Sequence, residues 1–337
     1  MRFVSYRLRV FLLLLGMLLF ASAGSAEPVG AETSLNSWLV RMHEASRKRA
    51  YTGTFVVSAG AKTVSAKIWH VCDGTQQMER VESLSGPPRS TFRRNEQVLT
   101  FFPEAKLAVA ESRDSLGLFP NLLKASNSDL GEFYQLKRLG NERIVGLEAE
   151  VVQLVPKDKL RYGYRVWSEK RTGLVVQLQT LGLDGRVLEQ SAFSELQLDA
   201  PVSMVKLSQM MGATQGYRVE HAELQKTAAE AHGWSLSKAV GGYKPVGCYQ
   251  RPLPVQEGAG DTPLGPTLQW MFSDGLATVS LFIEPFQAPR HMREGAADLG
   301  GATRIHTRHI DTWWVTAVGE VPAATLNIFS HALERRK

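Results

Sequence analysis

The chain has 337 residues, of which 44% are hydrophobic and 21% charged, and its formal net charge is +6. This length allows two domains with hydrophobic cores. The modest charge, without a dense basic stripe interleaved with aromatic residues, argues against a nucleic-acid partner. The two cysteines, Cys72 and Cys248, are far apart in sequence. Two buried thiols are favoured over a disulfide between them, because a bridge would lock two domains together, but the sequence leaves the pairing open.

The N-terminus has the features of a signal peptide. Three arginines precede the apolar run Val10–Phe20, and small residues follow it up to Ala26. The run is shorter than the about 20 apolar residues that a membrane-spanning helix needs. We therefore expect residues 1–26 to be cleaved and the chain to be exported. Removal of the leader leaves 36 basic and 33 acidic residues, a net charge of +3.

The next segment, residues 27–199, has the pattern of a helix followed by an antiparallel meander. A helix ending near Arg49 carries apolar residues at i, i+3 and i+4 spacing. Short alternating runs separated by turn residues then predict strands from Tyr51 to Ser112 and from Gln135 to Leu198. Between them, Leu116–Tyr134 has the apolar spacing of one or two short helices.

The remaining chain predicts a smaller second domain. Ala200–Gly216 lacks a clear pattern and is interpreted as a flexible linker and hinge. Residues 217–337 contain strand-like runs from Tyr217 onward, a loop at Pro254–Pro266, and a final helix beginning at Pro322. The predicted fold class is α+β, mostly antiparallel β.

The sequence offers no convincing catalytic or metal site. His306 and His309 lie three residues apart on a predicted strand, where they face opposite sides, so they are poorly placed to share a metal. His70 lies near Cys72, but no oxyanion or orienting group accompanies them. We therefore expect neither an enzyme nor a cofactor.

Large aromatic residues on successive predicted strands suggest an apolar concavity instead. An acyl chain of a dozen carbons would gain roughly 10 kcal/mol gross from burial there. The competing ligand is an extended peptide added to a strand edge, and for each aromatic residue ordinary core packing is the alternative. The candidate ligand-binding residues are Phe55, Trp69, Phe92, Phe101, Phe102 and Trp167.

Short segments in both domains resemble the RseB/MucB family, the periplasmic negative regulators of the sigma-E (AlgU) envelope-stress pathway. The most specific signal is Asp-Gly-Leu-Ala followed by Phe-Ile-Glu-Pro, whereas residues 74–130 and 200–233 match poorly. The matching segments are Trp38-Leu39, Tyr51–Val56, Ile68–His70, Arg161–Tyr164, Thr172–Leu174, Ser273–Ala277, Phe282–Pro285 and Val318–Pro322.

The resemblance implies an N-terminal unclosed β-barrel covered by helices, like LolA and LolB, and a smaller C-terminal domain. It further implies binding to the periplasmic segment of a single-pass, RseA/MucA-like anti-sigma factor, which is thereby shielded from regulated proteolysis. Lipopolysaccharide or lipoprotein acyl groups are the expected releasing ligands. We place the partner surface on the second domain, although a hairpin turn and core packing would account for the same residues. The candidate partner-binding residues are Trp234, Tyr243, Ser273, Asp274, Gly275 and Leu276.

Two other functions remain open at this point. A periplasmic lipid or lipoprotein carrier of LolA type would need only the first domain. A periplasmic hydrolase would need a histidine, an acid and a nucleophile to converge in space. The sequence also leaves open whether the chain forms a homo-oligomer.

Overall fold

The structure, a computed structural model, describes residues 35–112, 119, 130–221, 224–251, 266–288, 290–291 and 293–336. The predicted leader, nearly all of the loop Pro254–Pro266 and most of Leu116–Tyr134 lie outside the described residues. Within these ranges, no helix is both long and apolar enough to cross a membrane. The helices are α1 (Leu35–Lys48), α2 (Leu130–Phe133), α3 (Met204–Gly212) and α4 (Ala323–Ala332), with a short 3-10 helix at Ala229–His232.

The first sheet has twelve strands, in the order β12-β6-β5-β4-β3-β2-β1-β11-β10-β9-β8-β7. All neighbours are antiparallel except β12, which runs parallel to β6. The predicted antiparallel meander is therefore confirmed. The strands are β1 (Tyr51–Ala59), β2 (Lys62–Cys72), β3 (Gln77–Ser83), β4 (Ser90–Arg94), β5 (Gln97–Phe102), β6 (Leu107–Ser112), β7 (Tyr134–Ile144), β8 (Leu147–Pro156), β9 (Gly163–Glu169), β10 (Val175–Leu181), β11 (Val187–Leu198) and β12 (Arg218–His221).

Helix α1 lies in the hollow of this sheet. Its predicted apolar face is buried, with Trp38 and Leu39 each 2% exposed. The same core cluster contains Val81 from β3 and Tyr134 from β7, which are seven strand positions apart. In a flat sheet that separation would be about 33 Å, so the sheet curves around α1. Its edge strands β12 and β7 are not paired to each other among the described residues, and the barrel is unclosed as expected.

The segment Ala200–Gly216, interpreted above as an irregular linker, contains a capped helix. Ser203 lies at the N-cap of α3, and its hydroxyl accepts a hydrogen bond from the Lys206 backbone N–H at 3.2 Å. Leu207 is buried against the aromatic cluster on β4 and β5. The spacing of Met204, Leu207 and Met211 gives α3 an apolar stripe, so packing against the sheet orders this segment.

A second correction concerns the strand predicted from Tyr217. Among the described residues, this segment forms β12 (Arg218–His221), which pairs with β6 of the first sheet and not with the second sheet. Its parallel pairing is possible because α3 provides a crossover between β11 and the edge of the sheet. The chain thus completes the first sheet before it enters the second.

The second sheet has seven strands in the order β13-β15-β16-β17-β20-β19-β18, and a separate two-stranded ladder joins β14 to β21. Helix α4 packs on one face, where Leu326 and Phe329 are fully buried with Trp234 and Phe272. The mostly antiparallel α+β prediction is confirmed. The strands are β13 (Gln225–Lys226), β14 (Trp234–Leu236), β15 (Lys244–Arg251), β16 (Thr267–Ser273), β17 (Thr278–Pro285), β18 (Gly295–Asp298), β19 (Arg304–Ile310), β20 (Trp313–Gly319) and β21 (Leu333–Arg335).

Candidate functional site

A buried ion pair joins the two sheets. Arg161, just before β9, donates from Nη1 to Oδ2 of Asp274 in the β16–β17 turn at 2.8 Å, and both side chains are completely buried. The guanidinium also donates to the Gly241 carbonyl at 2.7 Å and to Asp158 at 3.0 Å, while the Tyr134 hydroxyl donates to Asp274 at 3.0 Å. Buried charges persist only when paired and hydrogen-bonded, so this network ties the sheets together.

The turn that carries Asp274 is folded by its own side chains. Oδ1 of Asp274 accepts hydrogen bonds from the backbone N–H groups of Leu276 and Ala277 at 2.9 and 2.8 Å. The Ser273 hydroxyl donates to the Ala277 carbonyl and accepts from Gly275. Gly275 has φ of 103°, a conformation that side chains rarely adopt. One carboxylate therefore both closes the turn and neutralises Arg161.

Leu276 extends this connection into the first core. It is 3% exposed and belongs to the same cluster as Trp38 and Tyr134, although its turn is part of the second sheet. The motif Ser273–Ala277, singled out above as a family signature, is thus the segment that the second sheet inserts into the first. We call Tyr134, Arg161, Tyr243, Asp274 and Leu276 the junction.

Aromatic rings enclose the junction cation. The Arg161 guanidinium carbon lies 4.5 Å from the Phe133 ring centroid and 5.1 Å from that of Tyr243, within cation–π range. The Tyr243 hydroxyl donates to the Leu160 carbonyl at 3.1 Å. Burial raises the pKa of Tyr134 and of Tyr243 well above the ordinary value for tyrosine, so both remain neutral donors at any physiological pH.

The six predicted partner-binding residues are all buried, although we placed them on a surface. Trp234 is 1% exposed and packs edge-on against Trp313, while Tyr243 and the Ser273–Leu276 turn are in the junction. Large aromatic rings and a self-bonded turn are used here for packing between and within the sheets. A direct contact with a partner stays a prediction, and for Tyr243 and the Ser273–Leu276 turn it would require the two sheets to separate.

The six predicted ligand-binding aromatics are divided among different clusters. Phe55 packs under α1, Phe92 and Phe101 pack under α3, and Trp167 lies in a separate cluster where its Nε1 donates to Glu142 at 2.9 Å. Phe102 is half-buried at the end of β5. They do not line one common hollow, because successive strands direct them to different faces and different parts of a long sheet. Their role in ligand binding stays a prediction.

Trp69 differs from the other five because it borders a cavity beneath α3. The cavity has a volume of about 460 Å³, within the range of small-molecule sites. Arg80 lies over the Trp69 ring, with its guanidinium carbon 4.8 Å from the centroid, and Lys206 projects from α3. The full lining is Thr52, Trp69, Arg80, Gln197, Ala200, Pro201, Val202, Ser203, Lys206, Leu207 and Met210. An apolar floor with Lys206 and with Arg80, which also pairs with Glu82 at 2.8 Å, suits an anionic amphiphile.

The α3 contribution to this cavity was missed at the sequence level. Because Ala200–Gly216 was interpreted as an irregular linker, its apolar side chains were not considered as a wall. The available signal was the i, i+3 spacing of Met204 and Leu207 after Ser203, a good N-cap residue.

The histidines and cysteines do not form a reactive set in the described part of the chain. His70 Nδ1 donates to the Arg49 carbonyl at 2.8 Å, and burial lowers the His70 pKa. Cys72 and Cys248 are free thiols, and burial raises the Cys248 pKa to about 11. No group of three or more potential metal ligands occurs among the described residues.

His306 and His309, three residues apart in the sequence, face opposite sides of their strand as expected. His306 is buried, with Nε2 3.2 Å from the Asn327 side-chain nitrogen, whereas His309 is exposed and packs against Phe286 with ring centroids 4.0 Å apart and the rings tilted by 30°. The two rings therefore contact different residues on opposite faces of β19.

Comparisons with known proteins give a consistent result. Residues 34–211 match the MucB/RseB N-terminal domain model, and residues 228–334 match the MucB/RseB C-terminal domain model. The sigma factor AlgU regulatory protein MucB of Pseudomonas aeruginosa is 29% identical over 320 residues, covering 93% of each chain. The sigma-E factor regulatory protein RseB of Escherichia coli is 23% identical over 316 residues, again 93% of each chain.

Solved structures of MucB are also similar. The crystal structure of MucB in complex with MucA(peri) aligns with a TM-score of 0.65 and 26% identity over 89% of this chain and 98% of that chain. A second complex, MucA/MucB of Pseudomonas aeruginosa, gives a TM-score of 0.67 and 25% identity over 90% and 99%. The resemblance noted in the sequence is confirmed, and this chain belongs to the MucB/RseB family.

Proposed function

We propose that this chain regulates an envelope-stress sigma factor by binding the periplasmic segment of its anti-sigma factor. The observation that carries the proposal is the full-length match to a protein that has been crystallised with MucA(peri), with both domains in the same order. Export by the N-terminal leader would place the chain in the periplasm with that segment. Bound there, it shields the anti-sigma factor from regulated proteolysis.

Release by a lipid-type ligand is the second part of the proposal. The cavity beneath α3 supports it, because an acyl chain would lie against Trp69 and Leu207 while an anionic headgroup meets Arg80 and Lys206. Each buried methylene contributes about 0.8 kcal/mol. The headgroup adds charge-assisted hydrogen bonds with the two cations.

Linkage between this ligand and the partner acts through the arrangement of the two sheets. A ligand that favours one arrangement of the sheets lowers the affinity for a partner that favours the other arrangement. The largest possible reduction is the ratio of the ligand's affinities for the two arrangements. The junction is the contact that such a change must alter, since it holds the Ser273–Leu276 turn inside the first core. Helix α3 and β12 connect the cavity to the chain that crosses to the second sheet.

A capture experiment tests the partner. The tagged chain is expressed in its own envelope, cross-linked and purified under denaturing conditions, with a tagged, unrelated exported protein as the control. We expect specific enrichment of a single-pass inner-membrane protein with a cytoplasmic sigma-binding end. Enrichment of lipoproteins alone would favour the carrier function instead, and the regulatory proposal would then be wrong.

A further inference from the structure

Three hairpin turns of the first sheet lie at the same end of their strands. They join β1 to β2, β3 to β4, and β10 to β11. The strands concerned are consecutive in the order β4-β3-β2-β1-β11-β10, so five spacings of about 4.8 Å place the turns within roughly 24 Å of each other. Ala59, at the end of β1, pairs with Lys62 on one side and Glu189 on the other, which fixes the β1–β2 and β10–β11 turns to the same edge. Ser83, at the end of β3, pairs with Ala66 near the start of β2, which places the β3–β4 turn at that edge too.

Exposed aliphatic side chains are concentrated at this end. Among the described residues, ten large hydrophobic side chains are exposed, and four of them are Val64, Leu84, Leu183 and Val187 on or beside these turns. A fifth, Leu299, is on the β18–β19 turn of the second sheet. That turn reaches the same place, because a Cβ on its Gly301 would lie 2.7 Å from the Ala59 Cβ. We call Val64, Leu84, Leu183, Val187 and Leu299 the rim.

Each of the three turns also carries a basic residue: Lys62, Arg89 and Arg186, all exposed. Asp184 pairs with Arg186 at 2.5 Å, so residues 59–64, 84–89 and 182–187 together carry two net positive charges, and the carboxylate of Glu189 lies beside the Gly301 turn at the same end. Aliphatic side chains that stand singly on turns, with Lys62 and Arg89 among them, differ from the aromatic-rich, continuous centre of a protein interface. They match the chemistry by which proteins lie on anionic membrane surfaces.

We propose that the rim docks on the surface of an anionic phospholipid bilayer. The aliphatic side chains enter the boundary between headgroups and acyl chains, and Lys62 and Arg89 meet lipid phosphates. The cavity beneath α3 and the junction have no part in this contact, so it does not depend on the anti-sigma factor. Docking would confine the chain to two dimensions beside any membrane-anchored partner.

Vesicle co-sedimentation of the exported, purified chain tests the proposal. The vesicles contain roughly three parts phosphatidylcholine to one part phosphatidylglycerol, which gives a negative surface potential. The rim variant carries Leu84→Asp and Val187→Asp. The matched control carries Leu139→Asp and Val219→Asp, two exposed aliphatic positions on the edge strands β7 and β12. Because all four positions are exposed, both variants should have the same melting temperature as the native protein.

We expect the rim variant to bind the vesicles at least about tenfold more weakly than the native chain, with binding by the control unchanged. Lys62→Gln and Arg89→Gln should each cost roughly fivefold and reduce the dependence on salt. Equal binding by rim variant and control would overturn the proposal. A second result would also overturn it: the native chain does not bind vesicles and sediments as a dimer, whereas the rim variant sediments as a monomer. The rim would then be a contact between two copies.

Discussion

Replacing Asp274 with asparagine removes the buried negative charge opposite Arg161 and turns Oδ2, which accepts from Arg161 and from the Tyr134 hydroxyl, into an NH2 donor. Asparagine keeps the Oδ1 atom that accepts hydrogen bonds from Leu276 and Ala277, so the turn should persist. The guanidinium, completely buried, would keep its bond to the Gly241 carbonyl, but the carboxylate it retains is that of Asp158, whose side chain is 35% exposed. Breaking a buried ion pair by removing one partner costs about 3–5 kcal/mol, and the remaining carboxylate offsets part of it. We expect a loss of about 3 kcal/mol.

Urea unfolding, followed by tryptophan fluorescence, measures this loss. The matched control is Glu148→Gln, which removes an exposed pair with Lys170 at 2.8 Å and should cost less than about 1 kcal/mol. The double variant Arg161→Met with Asp274→Asn removes the isolated cation and should recover much of the stability. If Asp274→Asn cost no more than Glu148→Gln, or if the double variant were no better than the single one, the junction would not hold the sheets together.

Three further predictions concern neighbouring features. Gly242→Ala should destabilise the protein by about 1–3 kcal/mol, measured by urea unfolding, because φ is 82° and a Cβ would lie 2.7 Å from the junction guanidinium. Met210→Trp should fill the cavity and abolish the binding of a fluorescent fatty acid, measured by titration. Met211→Trp, at a position beside the cavity but not lining it, should leave that binding unchanged. Burial depresses the folded-state pKa of His70 below its unfolded value near 6.5, so the unfolded state binds the proton first as pH falls. Stability should therefore decrease below about pH 6.5, by at most about 1.4 kcal/mol per pH unit. His70→Asn should flatten that slope in urea titrations, and the exposed His309→Asn should not; equal slopes would contradict the assignment.

Much of the fold follows from local patterns. The i, i+3 and i+4 spacing on α1 predicted the face that carries Trp38 and Leu39, and both are buried. Alternation with turn residues predicted the strands of the meander, including the antiparallel pair β10 and β11. These features depend on neighbours within a few residues, which is why a single sequence reveals them.

The junction could not be predicted in the same way. Arg161 and Asp274 are 113 residues apart, and each resembles an exposed charge at a turn when only its neighbours are considered. The pairing of β12 with β6 is likewise a long-range choice. The signature Ser273–Ala277 was recognised, but its role depends on the first core, which no local pattern describes.

The most direct test of the account is whether partner binding responds to lipid only when the sheets can move. Ala59→Cys with Gly301→Cys would bridge the first sheet to the β18–β19 turn after a shift of about 1 Å, since disulfides need Cβ atoms about 3.5–4.5 Å apart. Cys72→Ser and Cys248→Ala would remove the native thiols. Binding to an anti-sigma periplasmic segment is then measured by titration, with and without lipopolysaccharide. We predict release by lipid in the reduced form and none in the oxidised form; equal release in both would contradict the account.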